Sequence, residues 1–310
     1  MALPNRDVTI TRTFDAPRAL VWKAWTDPTL VSQWFGPEMF DIPFAELDLR
    51  PGGKYNIHMR GPDGTIYPDQ GTYLEITPPE RIVFTSCAFE DGQGGYLLET
   101  HNTLTLEEQA GRTLMTLQIT VTKRAPEVED ALSGMEMGWS QSFGKLTERL
   151  AQTIVLVDED RLEITVSRLF DAPRELVYKI TTQPELLAQW WGPRQYETLI
   201  EELDLRVGGK WRFINRGADG DEHAFYGEYK EIRAPSRLVY TFEYAGTPGH
   251  PLVETITLEE YDGKTRVTAV DKFQSLEDLR GMAEAGMEQG VRESYERADE
   301  LLARMQQQVK

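Results

Sequence analysis

Histidine and cysteine are the side chains best suited to metal binding or nucleophilic chemistry, and this chain has few of them. The four histidines, His58, His101, His223 and His250, are far apart and form no H-E-x-x-H pair or other ligand spacing. The single cysteine, Cys87, excludes an intrachain disulfide and a multi-thiolate metal site. We therefore expect no metal and no cofactor.

Three polar residues stand among apolar neighbours and could orient a ligand by hydrogen bonding. Asn102, Asn215 and Glu254 lie in alternating segments, on the rows that carry the large apolar side chains. A few amide or carboxyl groups in an apolar wall are typical of a ligand pocket. The alternative is a structural role, in which each group bonds to the backbone or to a buried water.

An internal repeat determines which elements position these residues. The segment F-D-A-P-R at 14–18 recurs at 170–174, and W-F-G-P at 34–37 recurs as W-W-G-P at 190–193. The segments E-L-D-L-R, G-G-K and G-M-E also occur twice in the same order. Each copy spans about 155 residues, which is the size of a whole domain rather than of a solenoid repeat.

Each copy predicts the same order of elements, and we place the two domains at residues 1–153 and 160–310. A β-branched strand is followed by a helix that begins at Pro17 with Asp15 as its cap, then by a short helix that ends at a Gly-Pro pair. Alternating segments separated by turn residues then predict antiparallel strands, and one long helix closes the unit. In the first copy we predict strands at 8–14, 40–49, 54–60, 66–77, 81–89, 102–108 and 113–122, and the long helix at 127–152. This order favours an α+β fold in which a curved sheet wraps around the last helix.

Alternation along the strands assigns many large side chains to the face that meets the long helix. Every second residue of a strand shares a face, and the rows rich in aromatic residues must be the buried ones. On the long helix, apolar residues fall on one stripe. These side chains could line a ligand cavity, and they could equally form an ordinary core. The predicted lining set is Trp34, Tyr55, Ile57, Met59, Tyr73, Phe84, Asn102, Met135, Trp139 and Phe143 in the first copy, and Trp190, Trp211, Phe213, Asn215, Tyr229, Tyr240, Phe242, Glu254, Met287 and Tyr295 in the second.

Four of these aromatic residues have two possible roles. Trp34 and Trp190 stand just before a Gly-Pro stop, where they could gate the mouth of a cavity or anchor the short helix to the sheet. Tyr73 and Tyr229 share a strand row with a glycine, and they could donate hydrogen bonds into the cavity or support the fold.

Together these motifs resemble the START-like (SRPBCC) superfamily, in particular bacterial proteins related to the C-terminal domain of activators of the heat-shock-protein-90 ATPase. The shared signature is F-D-A-P-R…W, W-[FW]-G-P, P-G-G-K-[YW], R-G-x-D-G, G-x-Y-x-E-I-x-P-x-R-[IL]-V-[FY]-T and G-M-E-x-G. It covers nearly the whole chain, twice. Two positions depart from it, since Val207 replaces the proline of P-G-G and Val291 replaces the helix tryptophan.

The resemblance implies a helix-grip fold with a cavity between the sheet and the long helix, and members of this superfamily bind lipids, polyketides, hormones and other apolar molecules. We therefore expect a non-enzymatic protein that binds a small apolar molecule, with one pocket per domain. Two alternatives stay open: a START-like enzyme of the cyclase or hydrolase type, and a chaperone-associated protein that acts through its surface. No Ser/His/Asp arrangement recurs between the copies, which favours binding over catalysis.

Composition argues against several classes of partner. The net charge is −18 and the isoelectric point about 4.7, so phosphate backbones and anionic lipids would repel the surface. No apolar stretch of a signal peptide follows residues 1–7, and no segment approaches the roughly 20 apolar residues that span a membrane. We expect no nucleic-acid partner, no membrane contact and a cytoplasmic location.

Overall fold

The chain divides after Leu150 into two units, each with one antiparallel sheet and one long helix. The computed structural model describes residues 7–308. Residues 1–6, on which the prediction of no signal peptide partly rests, lie outside this range. The architecture confirms the predicted α+β helix-grip fold in both halves of the chain.

The sheet of the first unit has the strand order β2-β3-β4-β5-β6-β7-β1. A 3₁₀ turn at Pro126–Val128 leads from the last strand into the long helix. The strands are β1 (Asp7–Phe14), β2 (Asp41–Leu47), β3 (Lys54–Arg60), β4 (Ile66–Thr77), β5 (Arg81–Glu90), β6 (Tyr96–Gln109) and β7 (Arg112–Arg124), and the helices are α1 (Arg18–Thr26), α2 (Pro28–Val31) and α3 (Glu129–Ala151).

The second unit repeats this design with one additional edge strand. Residues 154–159, left between the two predicted domains, contain strand β8, which pairs with β9 at the edge of the second sheet. The closing helix is interrupted at Gly286, whose φ is +81°. The strands are β8 (Ile154–Asp158), β9 (Glu163–Phe170), β10 (Tyr196–Leu203), β11 (Lys210–Gly217), β12 (Glu222–Arg233), β13 (Arg237–Tyr244), β14 (Leu252–Tyr261) and β15 (Lys264–Lys272), and the helices are α4 (Arg174–Thr182), α5 (Pro184–Leu187), α6 (Leu276–Glu284) and α7 (Met287–Gln307).

Two details of the first unit differ from prediction. β6 begins at Tyr96 instead of residue 102, because Tyr96 pairs with Glu90 and extends the ladder toward a short turn. The prediction that Asp15 caps α1 is wrong. Pro17 occupies the cap position without a side-chain hydrogen bond, and Asp15 forms an ion pair with Arg112 at 2.9 Å.

The repeated motifs meet in space, which explains why they recur together. A Cβ added to Gly138 of the long helix would lie 3.5 Å from Pro37 of the W-F-G-P turn. About two helical turns further on, Lys145 donates from Nζ to the carbonyl oxygens of Phe35 and Pro37 at 3.1 and 3.3 Å. In the second unit, Arg297 donates to the Gly192 carbonyl at 2.7 Å. The turn after the short helix is therefore tied to the long helix in both units.

A glycine in each sheet allows a ring to cross the strand beside it. Tyr55 is opposite Gly71 in the register of β3 and β4, and Trp211 is opposite Gly227 in β11 and β12. A Cβ at Gly71 would lie 2.5 Å from the Tyr55 ring and 1.8 Å from the carbonyl oxygen of Thr85. A side chain there would collide with both the ring and the backbone, so only glycine allows this approach.

Gly71→Ala should therefore destabilise the protein by more than about 2 kcal/mol, because a backbone carbonyl cannot move aside for the added methyl group. The matched control is Gly144→Ala in α3, where an added Cβ has no neighbour within 4 Å; it should stabilise by roughly 0.5–1 kcal/mol. Urea unfolding of the full chain measures both changes. An unchanged midpoint for Gly71→Ala would contradict the role assigned to this close approach.

Candidate ligand sites

The first candidate site is a small cavity in the first unit, between the concave face of the sheet and helices α1 and α2. Its volume is about 30 Å³, which admits about two or three water molecules at roughly 10–15 Å³ each. Large rings fill the surrounding space, so a larger ligand has to displace side chains. The lining residues are Trp25, Val31, Trp34, Phe35, Leu47, Tyr55, Ile57, Tyr73, Ile82 and Phe84.

Trp25 of α1 lies at the centre of an aromatic cluster beside this cavity. Its ring stacks on Trp139 of α3, with centroids 6.0 Å apart and an interplanar angle of 20°. Trp34 meets it edge-on at 4.9 Å, and Phe143 of α3 lies 6.2 Å away. Trp25 is absent from the predicted lining set, because a nine-residue helix gives too little periodicity to separate its buried face.

The indole N–H of Trp25 is a buried donor. Trp25 is only 8% exposed, and its Nε1 has no hydrogen-bond partner among the described residues. An unpaired buried donor typically costs about 1–3 kcal/mol. Trp25 also lines the cavity, so an acceptor atom of a ligand or of a water molecule brought to its N–H would bind favourably.

The tryptophans of the W-x-G-P motif have their own partners. Trp34 Nε1 donates to the carbonyl oxygen of Ala24 at 2.8 Å, and Trp190 Nε1 donates to that of Ile180 at 2.9 Å. Both bonds hold the turn after the short helix to the preceding helix. This is an anchoring role, although the anchor point is a helix and not the sheet.

The remaining residues of the first predicted set differ in their surroundings. Met59 lies next to Gly36, with Sδ 3.2 Å from the position of a Cβ there. Asn102 is buried and donates from Nδ2 to Thr100 Oγ1 at 2.9 Å, so its partner is a side chain and not the backbone or a water molecule. Met135 packs on a separate small cluster between the sheet and α3. The predicted residues that line the cavity itself are Trp34, Tyr55, Ile57, Tyr73 and Phe84.

A carboxyl group that was not predicted lies on the same concave face. Asp69 of β4 is opposite Ile57 of β3, and it accepts hydrogen bonds from the Tyr55 hydroxyl at 3.1 Å and from the Ser86 hydroxyl. Burial raises the pKa of Asp69 to about 6, and the two hydrogen bonds offset part of that rise. The alternation that places Tyr73 inward also places Asp69 inward, so the strand pattern contained this signal.

The second unit contains a smaller cavity of about 20 Å³. It lies between the end of the sheet and helices α4 and α7, and among the predicted residues Trp190 and Tyr295 line it. The contribution of α4 was not predicted, for the same reason as that of Trp25. The full lining is Phe170, Val177, Ile180, Thr181, Trp190, Ile256, Val267, Tyr295 and Ala298.

Next to this cavity, two carboxyl groups face each other on the concave surface. Glu254 of β14 is directly opposite Asp271 of β15, a position in which Cβ atoms are usually about 4.5–5.5 Å apart. Tyr240 of β13 is opposite Glu254 on its other side and hydrogen bonds to it. Burial raises the pKa of Glu254 to about 7, and burial and the charge of Glu254 raise the pKa of Asp271 well above its usual range. The pair therefore holds a proton near neutral pH.

The two units carry their polar groups at different positions of equivalent sheets. Where the second unit has its carboxyl pair and tyrosine, the first unit has an amide and two apolar side chains. Where the first unit has Asp69 and its partners, the second has only large rings. The equivalent residues are Asn102 for Glu254, Ile119 for Asp271, Phe84 for Tyr240, Phe225 for Asp69, Phe242 for Ser86 and Trp211 for Tyr55.

The other predicted residues of the second unit pack around these groups. Asn215 accepts a hydrogen bond from the Thr198 hydroxyl at 2.9 Å and lies against Gly192, so its partner is again a side chain. Met287 opens α7 and packs partly buried on the core. The remaining predicted residues form ring contacts on the concave face, and these are Trp211, Phe213, Tyr229, Tyr240 and Phe242.

The histidines and the cysteine form no metal site in the described part of the chain, where no group of three or more metal-binding side chains occurs. His58 contacts the Phe44 ring, and His223 lies between Asp221 and Tyr244. Burial raises the pKa of the Cys87 thiol. Within residues 7–308, every helix is too short or too polar to cross a bilayer.

A family model described as "Activator of Hsp90 ATPase homolog 1-like protein" matches residues 15–151 and again residues 171–303. A solution structure of a protein from Arthrobacter aurescens is 32% identical over 49% of this chain and 91% of its own, with a TM-score of 0.47. A crystal structure of a protein from Mycobacterium smegmatis is 29% identical over 48% and 96%, with a TM-score of 0.46. Among curated proteins, none matches this chain.

Glu254→Gln should change how stability depends on pH. Because the pKa of Glu254 is raised in the folded state, the folded protein keeps a proton that the unfolded chain releases between about pH 4.5 and 7, so wild-type stability falls as pH rises through that window. The variant lacks this proton. It should exceed the wild type in stability by about 3 kcal/mol at pH 8 and match it near pH 4.

Thermal unfolding of the full chain across this pH range measures the difference, with Glu197→Gln, an exposed carboxyl on β10, as the control. A gap between Glu254→Gln and wild type that does not vary with pH would contradict the raised pKa.

Proposed function

Given that the chain belongs to the family of activator of Hsp90 ATPase homolog 1-like proteins, whose model matches both units, we propose that its first unit binds a small, neutral aromatic molecule. The ligand lies between the concave face of the sheet and helices α1 and α3. The observation that carries the proposal is the N–H of Trp25, a buried donor on a residue that lines the cavity, which has no acceptor among the described residues.

The aromatic cluster supports a planar ligand. The cavity of about 30 Å³ is too small for a ring, so a side chain has to move when one binds. Trp139 is suited to this, because it is only partly buried whereas Trp34 is completely buried. A flat ligand that displaces Trp139 would take its place against Trp25, where the rings are stacked at 6.0 Å.

The charges around the cavity support a neutral ligand. Tyr55, which lines the cavity, holds Asp69 on the same face, and a carboxylate there would repel an anion. Asp69 already accepts two hydrogen bonds, so it has little need of a ligand cation. A neutral aromatic ring that carries a carbonyl or ether oxygen would not be repelled by Asp69, and its oxygen can accept a hydrogen bond from the Trp25 N–H.

Trp25→Phe tests the proposal, because it keeps a ring and removes the N–H. The probes are coumarin, whose carbonyl can accept from Trp25, and naphthalene, a two-ring molecule of similar size with no acceptor. The variant should bind coumarin about 3- to 10-fold more weakly, the value of one hydrogen bond, and should bind naphthalene as well as the wild type does. Titration monitored by the indole N–H signals in ¹H–¹⁵N NMR spectra measures both affinities.

Trp22→Phe is the matched control, since Trp22 is a buried residue of the same helix that does not line the cavity. It should leave both affinities unchanged. The proposal is wrong if neither probe shifts the Trp25 signal at millimolar concentration, or if Trp25→Phe weakens both probes equally.

A further inference from the structure

We propose that the second unit binds a small aromatic amine, a ligand with a protonated nitrogen at one end and a hydrogen-bond acceptor on its ring. The amine site consists of Trp211, Tyr240, Phe242, Glu254 and Asp271 on the concave face of the second sheet. It is independent of the function proposed for the first unit, because every one of these residues belongs to the second.

The carboxyl pair lacks a compensating cation. Burial raises the pKa of both groups, the charge of Glu254 raises the pKa of Asp271 further, and the hydrogen bond from Tyr240 lowers the pKa of Glu254. Among the described residues, no cation lowers either pKa. Arg168 of β9 does not pair with these carboxyl groups, since its guanidinium donates hydrogen bonds to Asp299 and to Thr153. Buried carboxylates are normally paired with a positive charge. A protonated amine placed between the two groups would supply that charge.

The chemistry of the pair favours an organic cation over a metal ion. Calcium takes about 6–8 oxygen ligands, and no group of three or more metal-binding side chains occurs among the described residues. The pair instead has an aromatic neighbour in Tyr240, which is opposite Glu254 and hydrogen bonds to it. A cation beside the face of a tyrosine ring gains further attraction from its π electrons.

A second and separate observation places a hydrogen-bond donor on this face. Trp211 is 2% exposed, and its Nε1 has no hydrogen-bond partner among the described residues. This nitrogen lies 2.7 Å from the position that a Cβ of Gly227 would take. Gly227 is opposite Trp211 on the concave row, so the N–H occupies the inward space that the glycine leaves free. It requires an acceptor, which the ring of the ligand would carry.

Aromatic rings fill the space between the Trp211 N–H and the carboxyl pair. Trp211 meets Tyr240 edge-on at 5.6 Å and lies 5.7 Å from Phe242. Gly227 is on β12 and Glu254 on β14, two strands apart, which corresponds to about 10 Å of sheet. A phenylethylamine with a para oxygen has a comparable span.

The two ends of the site differ in exposure. Tyr240, Phe242, Glu254 and Asp271 are only partly buried, whereas Trp211 at the far end is almost completely buried. A ligand would therefore approach from the carboxyl end, with its ring directed toward Trp211.

Three probes of similar shape separate the two contacts without any mutation. Tyramine has both the amine and the ring oxygen, tyrosol replaces the amine by a neutral hydroxyl, and phenethylamine lacks the ring oxygen. We expect the wild-type chain at pH 7.5 to bind tyramine at least tenfold more tightly than tyrosol and several-fold more tightly than phenethylamine. Calorimetric titration gives the affinities, and the Trp211 indole signal in NMR spectra shows that this site is the one occupied.

Variants of the full chain test each residue. Glu254→Gln and Asp271→Asn should each lower the affinity for tyramine at least tenfold and leave that for tyrosol unchanged. Trp211→Phe should lower the affinity for tyramine about 3- to 10-fold, the value of one hydrogen bond, and leave phenethylamine unaffected. Glu197→Gln, an exposed carboxyl of the same unit, should change none of these values.

Equal affinities of the wild type for tyramine and tyrosol would overturn the proposal, and this comparison does not depend on any variant folding. So would tyramine binding that both carboxyl variants retain, or a tyramine titration that shifts Trp25 and not Trp211. Coumarin binding in the first unit can be measured on the same samples, so failure of one site is distinguishable from failure of the other.

Discussion

The close approach of one large ring to a glycine in the next strand is the contact on which both concave faces depend. The Tyr55 ring lies beside Gly71, and the Trp211 ring lies beside Gly227. Both positions require glycine, because a Cβ there would collide with the ring and with a backbone carbonyl. The ring tip is thereby carried over the neighbouring strand. In the first unit that tip is the Tyr55 hydroxyl, which donates a hydrogen bond to Asp69. In the second it is an indole N–H, and the residue equivalent to Asp69 is Phe225, which offers no acceptor.

The two copies therefore share a scaffold but differ in the polar groups on the concave face. The elements that hold each unit together recur, namely the W-x-G-P turn against the long helix, the buried tryptophan that bonds to the first helix, and the crossing ring. The polar groups do not recur. The first unit satisfies its inner carboxyl with two hydroxyl donors, whereas the second places two carboxyls side by side with one tyrosine. Each arrangement suits a different kind of ligand, neutral in one unit and cationic in the other.

Both cavities are nearly filled by protein side chains, with about 30 and 20 Å³ remaining. A ligand must then replace contacts that the protein already makes with itself, and only the difference between the two sets contributes to its affinity. A partly buried ring such as Trp139 is easier to displace than a completely buried one, since it loses less buried area. The unpaired N–H groups of Trp25 and Trp211 add to that difference, because a ligand acceptor satisfies a bond that the protein alone leaves unmade.

Residue order alone determined the duplication, the helix-grip fold and the inward rows of the strands, because alternation and repeated turn residues are local properties of the chain. It also placed Glu254 on an inward row. Only the tertiary structure decided that Glu254 is opposite Asp271 and that Asn102 and Asn215 have threonine partners. The same holds for the Trp25 N–H, which has no hydrogen-bond partner within residues 7–308. Such pairings depend on strand register, which hairpin lengths and bulges set, and on the depth at which a short helix packs. Hydrophobic alternation specifies which face a side chain takes, but it does not specify which residue lies opposite.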